Sequence, residues 1–210
     1  MAKRKKVRLK KFPIFMLLVL IIGGGYLVYN NFFTKEDVEK LKETTKKVIQ
    51  KEKVDIVDVN KTERDIAVMI NNHTKARPYH SGLDESYLVY EILVEGGYTL
   101  YMALYNDKDT GRIGSVRSSR HYFLDYAMEN DAVYVHWGWS PQAQSDIASY
   151  GINNINGLSY ENVYFYRDKS LNVSLEHTGF TDMEKINKGI KALGYSTKTD
   201  KDVLLNYSVE

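Results

Sequence analysis

The sequence predicts an α/β domain, a mixed sheet flanked by helices, preceded by one N-terminal transmembrane helix and a short stalk helix. Three observations carry this. An uncharged run follows a strongly basic N-terminus. Strand patterns then alternate with helix signals through the remainder of the chain, as in α/β domains. Between two of the strand patterns stands Gly96-Gly97, a pair able to take positive φ and close a hairpin. A hairpin needs an antiparallel pair, so the sheet is mixed rather than purely parallel.

Residues 1–11 carry seven basic side chains and no acid, and residues 12–29 read FPIFMLLVLIIGGGYLVY without a charge. Eighteen residues at helical rise span roughly 27 Å, close to a bilayer core. Asn30, Asn31, Phe32 and Phe33 extend the run into the interface, giving an anchor over 12–33. The positive-inside rule then leaves residues 1–11 in the cytoplasm and the rest extracytoplasmic. The competing reading is a cleaved signal peptide. The run is long for one, and no small-x-small cleavage site follows it.

Residues 34–63 read as stalk and linker. Thr34 suits an N-cap, with Glu36 and Asp37 at the positive end of the helix dipole. Val38, Leu41, Val48 and Ile49 form a thin apolar stripe, which fits a solvated stalk better than a dimerising coiled coil. An edge strand is expected at 54–59.

The domain proper, 64–210, opens with a buried strand at Ile66–Ile70 that feeds Asn71-Asn72-His73. Residues 73–85 hold Pro78 and Gly82 and read as a loop. Tyr87–Val94 and Thr99–Tyr105 are the hairpin strands. Ser118 or Ser119 is expected to cap a helix reaching Asn130, its apolar side formed by Tyr122, Phe123, Tyr126 and Ala127. Ala132–Trp137 is a strand, and Ser140-Pro141 opens a helix that ends before Gly151. Asn153–Leu158 reads as a turn-rich loop and Val163–Tyr166 as a short strand ending at Arg167. Thr181 and Glu184 match a capping box for a last helix, with Met183, Ile186, Ile190 and Leu193 on one face and Gly194 closing it.

Composition excludes several functions. Without cysteine there is no disulfide, thiolate metal site, cysteine nucleophile or lipidated cysteine. Of 29 basic residues, removing the seven at the N-terminus leaves 22 against 27 acids, a net −5. That balance disfavours nucleic acid as a partner. Histidines 73, 80, 121, 136 and 177 show no metal-ligand spacing, and no GxSxG elbow or phosphate-binding GxxxxGK[ST] loop is present. No metal or cofactor is expected.

The candidate site lies between Ile66 and Arg120. Arg112-Ile-Gly-Ser-Val-Arg-Ser-Ser-Arg120 sets arginines at a loop end and a helix start, where free N–H groups and the guanidinium fork suit an anion. Asn71, Asn72 and His73, with Arg77, sit where α/β folds place sites, beyond the carboxyl end of a strand. The expected ligand-binding residues are Asn71, Asn72, His73, Arg77, Arg117, Ser118, Arg120 and Arg167. Each has a structural alternative: Ser118 as a plain cap, Asn71-Asn72 as turn residues, the arginines as partners of Asp125, Glu91 or Glu95. Glu91 and Glu95 share a strand face, and Glu91 is expected to pair with Arg117 or Arg120 or to act as a general base. Glu91 and Asp84 are the catalytic candidates.

The segments AVMINNHTKARPYHSGLDESYLVYEILVEGGYTLYMALY, RIGSVRSSRHYFLDYA, AVYVHWGWSPQA and FYRDKS, with His177 and Thr178 beyond, resemble the YerB-like family of bacterial envelope proteins. The resemblance covers roughly residues 64–195. Those proteins are often lipoproteins and carry a domain of unknown function, so the resemblance implies a place in the envelope without naming a reaction. This chain departs from the family pattern in lacking a lipobox cysteine, and family members usually continue into a second C-terminal domain beyond the point matched by Glu210. The chain also reads NVSLEHTGF where the family has a Pro-His-Asn run. The layout of anchor, strand, polar loop, strand pair and arginine loop is similar to that of LytR-CpsA-Psr enzymes, which transfer glycopolymers from lipid pyrophosphates.

The reading is therefore a membrane-anchored extracytoplasmic domain binding an anionic envelope glycan or a protein partner. The alternative is an envelope enzyme of phosphoryl or glycosyl-phosphate transfer.

Overall fold

The computed structural model describes residues 62–106 and 109–201, together with 16, 19–24, 39–40 and 42. The chain divides into two compact units, Met1–Val54 and Asp55–Glu210. In the first unit the described residues are helical, and Met16, Val19, Leu20, Ile21 and Ile22 are exposed. Among the described residues no helix is long and apolar enough to cross a membrane. Most of the expected anchor at 12–33 and of the stalk and linker at 34–63 lies outside the described residues. So do the strand expected at 54–59 and the chain beyond 201.

The second unit is built on β1 (Ile66–Asn71), every residue of which is buried. Side chains alternate across a strand, so β1 feeds two cores. Ile66, Val68 and Ile70 join one with Ile113, Val135, Ile155 and Phe165. Ala67 and Met69 join the other with Met102, Leu104, Phe123 and Leu124. Around β1 forms a five-stranded sheet of order β2-β3-β1-β5-β6, with β2 at Leu88–Leu93, β3 at Thr99–Tyr105, β5 at Val133–His136 and β6 at Asn154–Asn156. The pairs β1–β3 and β2–β3 are antiparallel, and β1–β5 and β5–β6 are parallel. The expected mixed sheet and hairpin are both present. Gly96 and Gly97 take φ of +75° and +74° at the hairpin tip.

Helices α1 (His121–Glu129) and α2 (Pro141–Ser149) cover the face that carries Met69. The opposite face takes Met183, Ile186 and Ile190 from α4 (Met183–Ala192). A second sheet of order β4-β8-β7 is formed by β4 (Arg112–Gly114), β7 (Tyr166–Arg167) and β8 (Gly179–Asp182). Trp137 is held between two glycines: a Cβ on Gly157 would stand 2.5 Å from its ring and one on Gly179 2.6 Å.

The structure corrects several local expectations. Helix α1 begins at His121 with Arg120 as N-cap and no side-chain cap. Ser118 and Ser119 turn toward β5 instead: Ser118 donates to the Trp137 carbonyl, and Ser119 accepts from the Tyr134 hydroxyl. The buried side of α1 is Phe123, Leu124 and Ala127, while Tyr126 is exposed. Residues 153–158 are not a loop. They form β6 and the short helix α3 (Gly157–Tyr160), which Asn156 caps. The cap of α4 is Asp182, accepting from the Lys185 N–H. Thr181 lies within β8 and donates to the Tyr164 carbonyl. Ser140 caps α2 as expected, accepting from the Ala143 N–H, and Pro141 suits the first helical position because its missing N–H is one of the unpaired donors there.

Candidate functional site

The site is made where β1 and β5 part. Their pairing ends at Val68–Val135. Beyond it the segment 115–119 slots between them. Arg117 donates its N–H to the Met69 carbonyl, Asn71 donates to the Ser115 carbonyl, and Trp137 donates to the Arg117 carbonyl. The carboxyl ends of the strands in such a sheet are the usual location of α/β sites. Four segments meet there: the turn after β1, the β2–β3 tip, the segment 115–120 and the turn Leu175–His177.

Asn71 is the hub. It is 1% exposed, and every polar group it has is engaged. Its Oδ1 accepts from the His73 N–H at 3.0 Å, which orients the amide so that Nδ2 donates to His177 Nδ1 at 2.7 Å. Its carbonyl accepts from His80 Nε2. With Nδ1 as acceptor, neutral His177 carries its proton on Nε2, which faces Glu176 at 3.7 Å. The His73 ring stacks on His177 at 4.9 Å and lies against Tyr98 at 4.8 Å. Burial pushes the His177 imidazole below its ordinary value; Glu176 opposes this, and Arg117, His73 and Lys75 reinforce it. Against the upward push of desolvation, Arg117 and His177 hold the Glu176 carboxyl below its usual range.

Asn72, 2% exposed, ties the turn to the hairpin. Its Nδ2 donates to Glu91 Oε1 at 3.0 Å and Thr99 Oγ1 at 2.7 Å, and its Oδ1 accepts from Arg77 Nε at 2.8 Å. Among the described residues Glu91 has no arginine partner, unlike the pairing expected from sequence. Strand β2 is an edge strand with alternating exposure, so Glu91 points outward and needs no buried counter-ion. Thr99 and Asn72 hydrogen-bond it instead.

The arginines divide into two groups. Arg117 and Arg167 clamp the turn that carries His177, donating to the carbonyls of Glu176 and Leu175. Each also pairs with an acid, Arg117 with Glu176 and Arg167 with Glu161, and Arg167 lies 4.2 Å over the Trp137 ring. Arg120 grips both oxygens of Glu95 at 2.9 Å and ties α1 to the hairpin tip. The Glu95 backbone N–H, followed by Arg120, keeps that carboxyl low despite opposing desolvation. Arg112 pairs with Asp168 and lies over Phe180. By contrast, Lys75 and Arg77 are exposed, and among the described residues neither forms an ion pair.

The structure thus brings together Asn71, Asn72, His73, Arg77, Arg117 and Glu91. Arg120 stands at the edge, locked to Glu95. Ser118, its hydroxyl engaged by Trp137, and Arg167 lie behind the site. Asp84 lies apart, in the turn Leu83–Glu85, where its charge acts on Tyr105 at the far end of β3. Sequence reasoning missed Lys75, Tyr98, Thr99 and Glu176. The hairpin register delivers Tyr98 and Thr99 and the 175–177 turn delivers Glu176, which no local pattern marks; Lys75 stands in the same turn as His73 and Arg77. Among the described residues no group of three or more His, Asp or Glu could hold a metal ion.

Fold and site together define an α/β domain with a polar cluster at the carboxyl end of its central strand. Residues 54–196 match the family described as Protein of unknown function (DUF3048) N-terminal domain, and the chain belongs to that family. It is 36% identical over 143 residues to a Bacillus subtilis (strain 168) protein named "Putative lipoprotein YerB", a match covering 68% of this chain and 42% of that protein. It is also similar to the crystal structure of the YerB protein from Bacillus subtilis. That likeness has a TM-score of 0.65 and 34% identity, over 71% of this chain and 50% of that one. The chain therefore matches half or less of the length of these relatives.

Proposed function

We propose that this is a membrane-tethered, extracytoplasmic binding domain whose basic turn after β1 takes an anionic cell-envelope ligand. One observation carries the reading. Lys75 and Arg77 stand exposed, with no ion pair among the described residues, at the lip of a turn whose two asparagine side chains are buried and hydrogen-bonded. Buried amides that fix an exposed basic lip hold donors in place before a ligand arrives, which lowers the ordering cost of binding. Arg77 keeps its terminal nitrogens available because Asn72 engages only its Nε. A planar fork of that kind suits phosphate or carboxylate.

The tether rests on the uncharged run at 12–29 behind seven basic residues, and on the lipoprotein description of the Bacillus subtilis relative. Both favour a domain working at a membrane surface, where lipid-linked pyrophosphates present the required charge.

The test is binding of a polyprenyl pyrophosphate and of the uncharged polyprenol to the full chain in detergent. Saturable binding of the pyrophosphate alone, weakened in Arg77→Ala and in Lys75→Ala, supports the reading. Equal affinity for the two lipids, or binding that survives the double substitution, refutes it. Turnover of a polyprenyl-pyrophosphate glycan that disappears in Glu91→Gln would instead establish a transferase.

A further inference from the structure

A cleft, independent of the basic lip, runs along the edge strand β6 on the α2 side. Its volume is about 510 Å³, within the roughly 300–1,000 Å³ of small-molecule sites. We propose that it binds a neutral carbohydrate.

The walls mix aromatic and amide side chains with aliphatic ones, Ile147 and Ile152 among them. Trp139, Tyr160 and Tyr195 supply rings, and Gln144, Asn156 and Ser159 supply polar groups. No charged side chain lines the cleft among the described residues, so an ionic ligand finds no counter-charge there. Aromatic faces pack against the C–H face of a pyranose, while amides pair with its hydroxyls; neither group alone would favour a sugar over an oily ligand.

The polar groups are set for a partner. Asn156 is 3% exposed. Its Oδ1 accepts from the N–H groups of Gly138 at 2.9 Å and Leu158 at 3.0 Å. That fixes the amide, and its Nδ2 is buried with no hydrogen-bond partner among the described residues. A donor in that condition is costly to the fold, and a ligand hydroxyl would satisfy it once the wall shifts to admit it. Trp139 is backed by a buried ladder: its ring lies 5.4 Å from His136, which stacks on Tyr134 at 5.1 Å. His136 is in turn fixed by the Gly138 carbonyl and the Asn154 side chain. The indole is thus held rather than free to collapse into the cleft. A peptide adding to the β6 edge is disfavoured, because the Tyr195 hydroxyl already occupies the Asn154 carbonyl at 3.1 Å.

The chain has two tryptophans. Trp137 is encased by Gly157 and Gly179, so a ligand-induced change in emission reports Trp139. The full chain, kept in a zwitterionic detergent without a sugar headgroup, is titrated with cellotetraose, maltotetraose and the β-1,4-linked tetramer of N-acetylglucosamine. The expected result is saturable binding of at least one, seen by fluorescence and by calorimetry. Trp139→Ala should weaken it roughly tenfold. Gln144→Ala, on the exposed helix face, should weaken it about threefold without touching the fold. Failure of all three sugars to saturate at about 10 mM, or binding unchanged in both variants, overturns the proposal. Neither result bears on the pyrophosphate titration, which reads other residues with another probe.

Discussion

His136 gives the domain a built-in acid sensitivity. It is fully buried, and its two ring nitrogens face the oxygens of Gly138 and Asn154 at 2.7 and 3.1 Å. Two acceptors would suit an imidazolium. Burial outweighs them, because no carboxylate adds to their pull, and the pKa is pushed down from 6.5 to about 4. Unfolded, the side chain takes up its proton near pH 6.5; folded, only near 4. Between those values the unfolded state binds more protons, so stability falls as pH falls. At about 1.36 kcal/mol per pH decade, the loss from pH 7 to 4 comes to about 3 kcal/mol, with no contribution above 6.5. His177, also depressed by burial, adds a loss of the same sign below pH 6.5. Urea unfolding of wild type and His136→Gln at pH 7, 6, 5 and 4 separates the two, because His177 is common to both. Wild type should lose about 3 kcal/mol more than the variant across that range. Parallel curves, or a wild type that gains stability in acid, would refute the reasoning and indicate a charged ring donating to both oxygens.

Two further substitutions probe the architecture. Asn72→Ala removes three side-chain hydrogen bonds; its partners Glu91 and Arg77 are exposed and regain water, so the cost should be about 1–3 kcal/mol by urea unfolding. A change below measurement error would mean that the turn is not held by this amide. Gly179→Ala drives a methyl to 2.6 Å from the Trp137 ring and should cost about 1–3 kcal/mol. It should also perturb the tryptophan near-UV signal; an unshifted spectrum at unchanged Tm would contradict the sandwich.

The strands and their faces were legible because burial leaves a period in the residues. IAVMIN reads as a doubly buried strand, and Gly96-Gly97 marks the hairpin. The asparagines and His73 were legible as well, since polar residues directly after a buried strand must be engaged by something. What hydroxyls and charges do at a distance was not. Ser118 and Ser119 look like caps in sequence, yet β5 lies beside them and takes their hydroxyls. The Asn153–Leu158 run looks like a loop because Asn and Gly favour turns. Parallel pairing to β5 makes it a strand. Arginine content alone could not tell which guanidinium groups find an acid; Arg117, Arg120 and Arg167 do.

The central claim is that Lys75 and Arg77 form the working anion contact while Arg117 and Arg120 serve as braces. The most direct measurement is titration of inorganic pyrophosphate into wild type, Lys75→Ala/Arg77→Ala and Arg120→Ala, followed through the NMR signals of His73 and His177. The account predicts saturable shifts in wild type and in Arg120→Ala, weakening with salt as charge screening requires, and none in the double variant. Shifts that persist in the double variant and vanish in Arg120→Ala would contradict it.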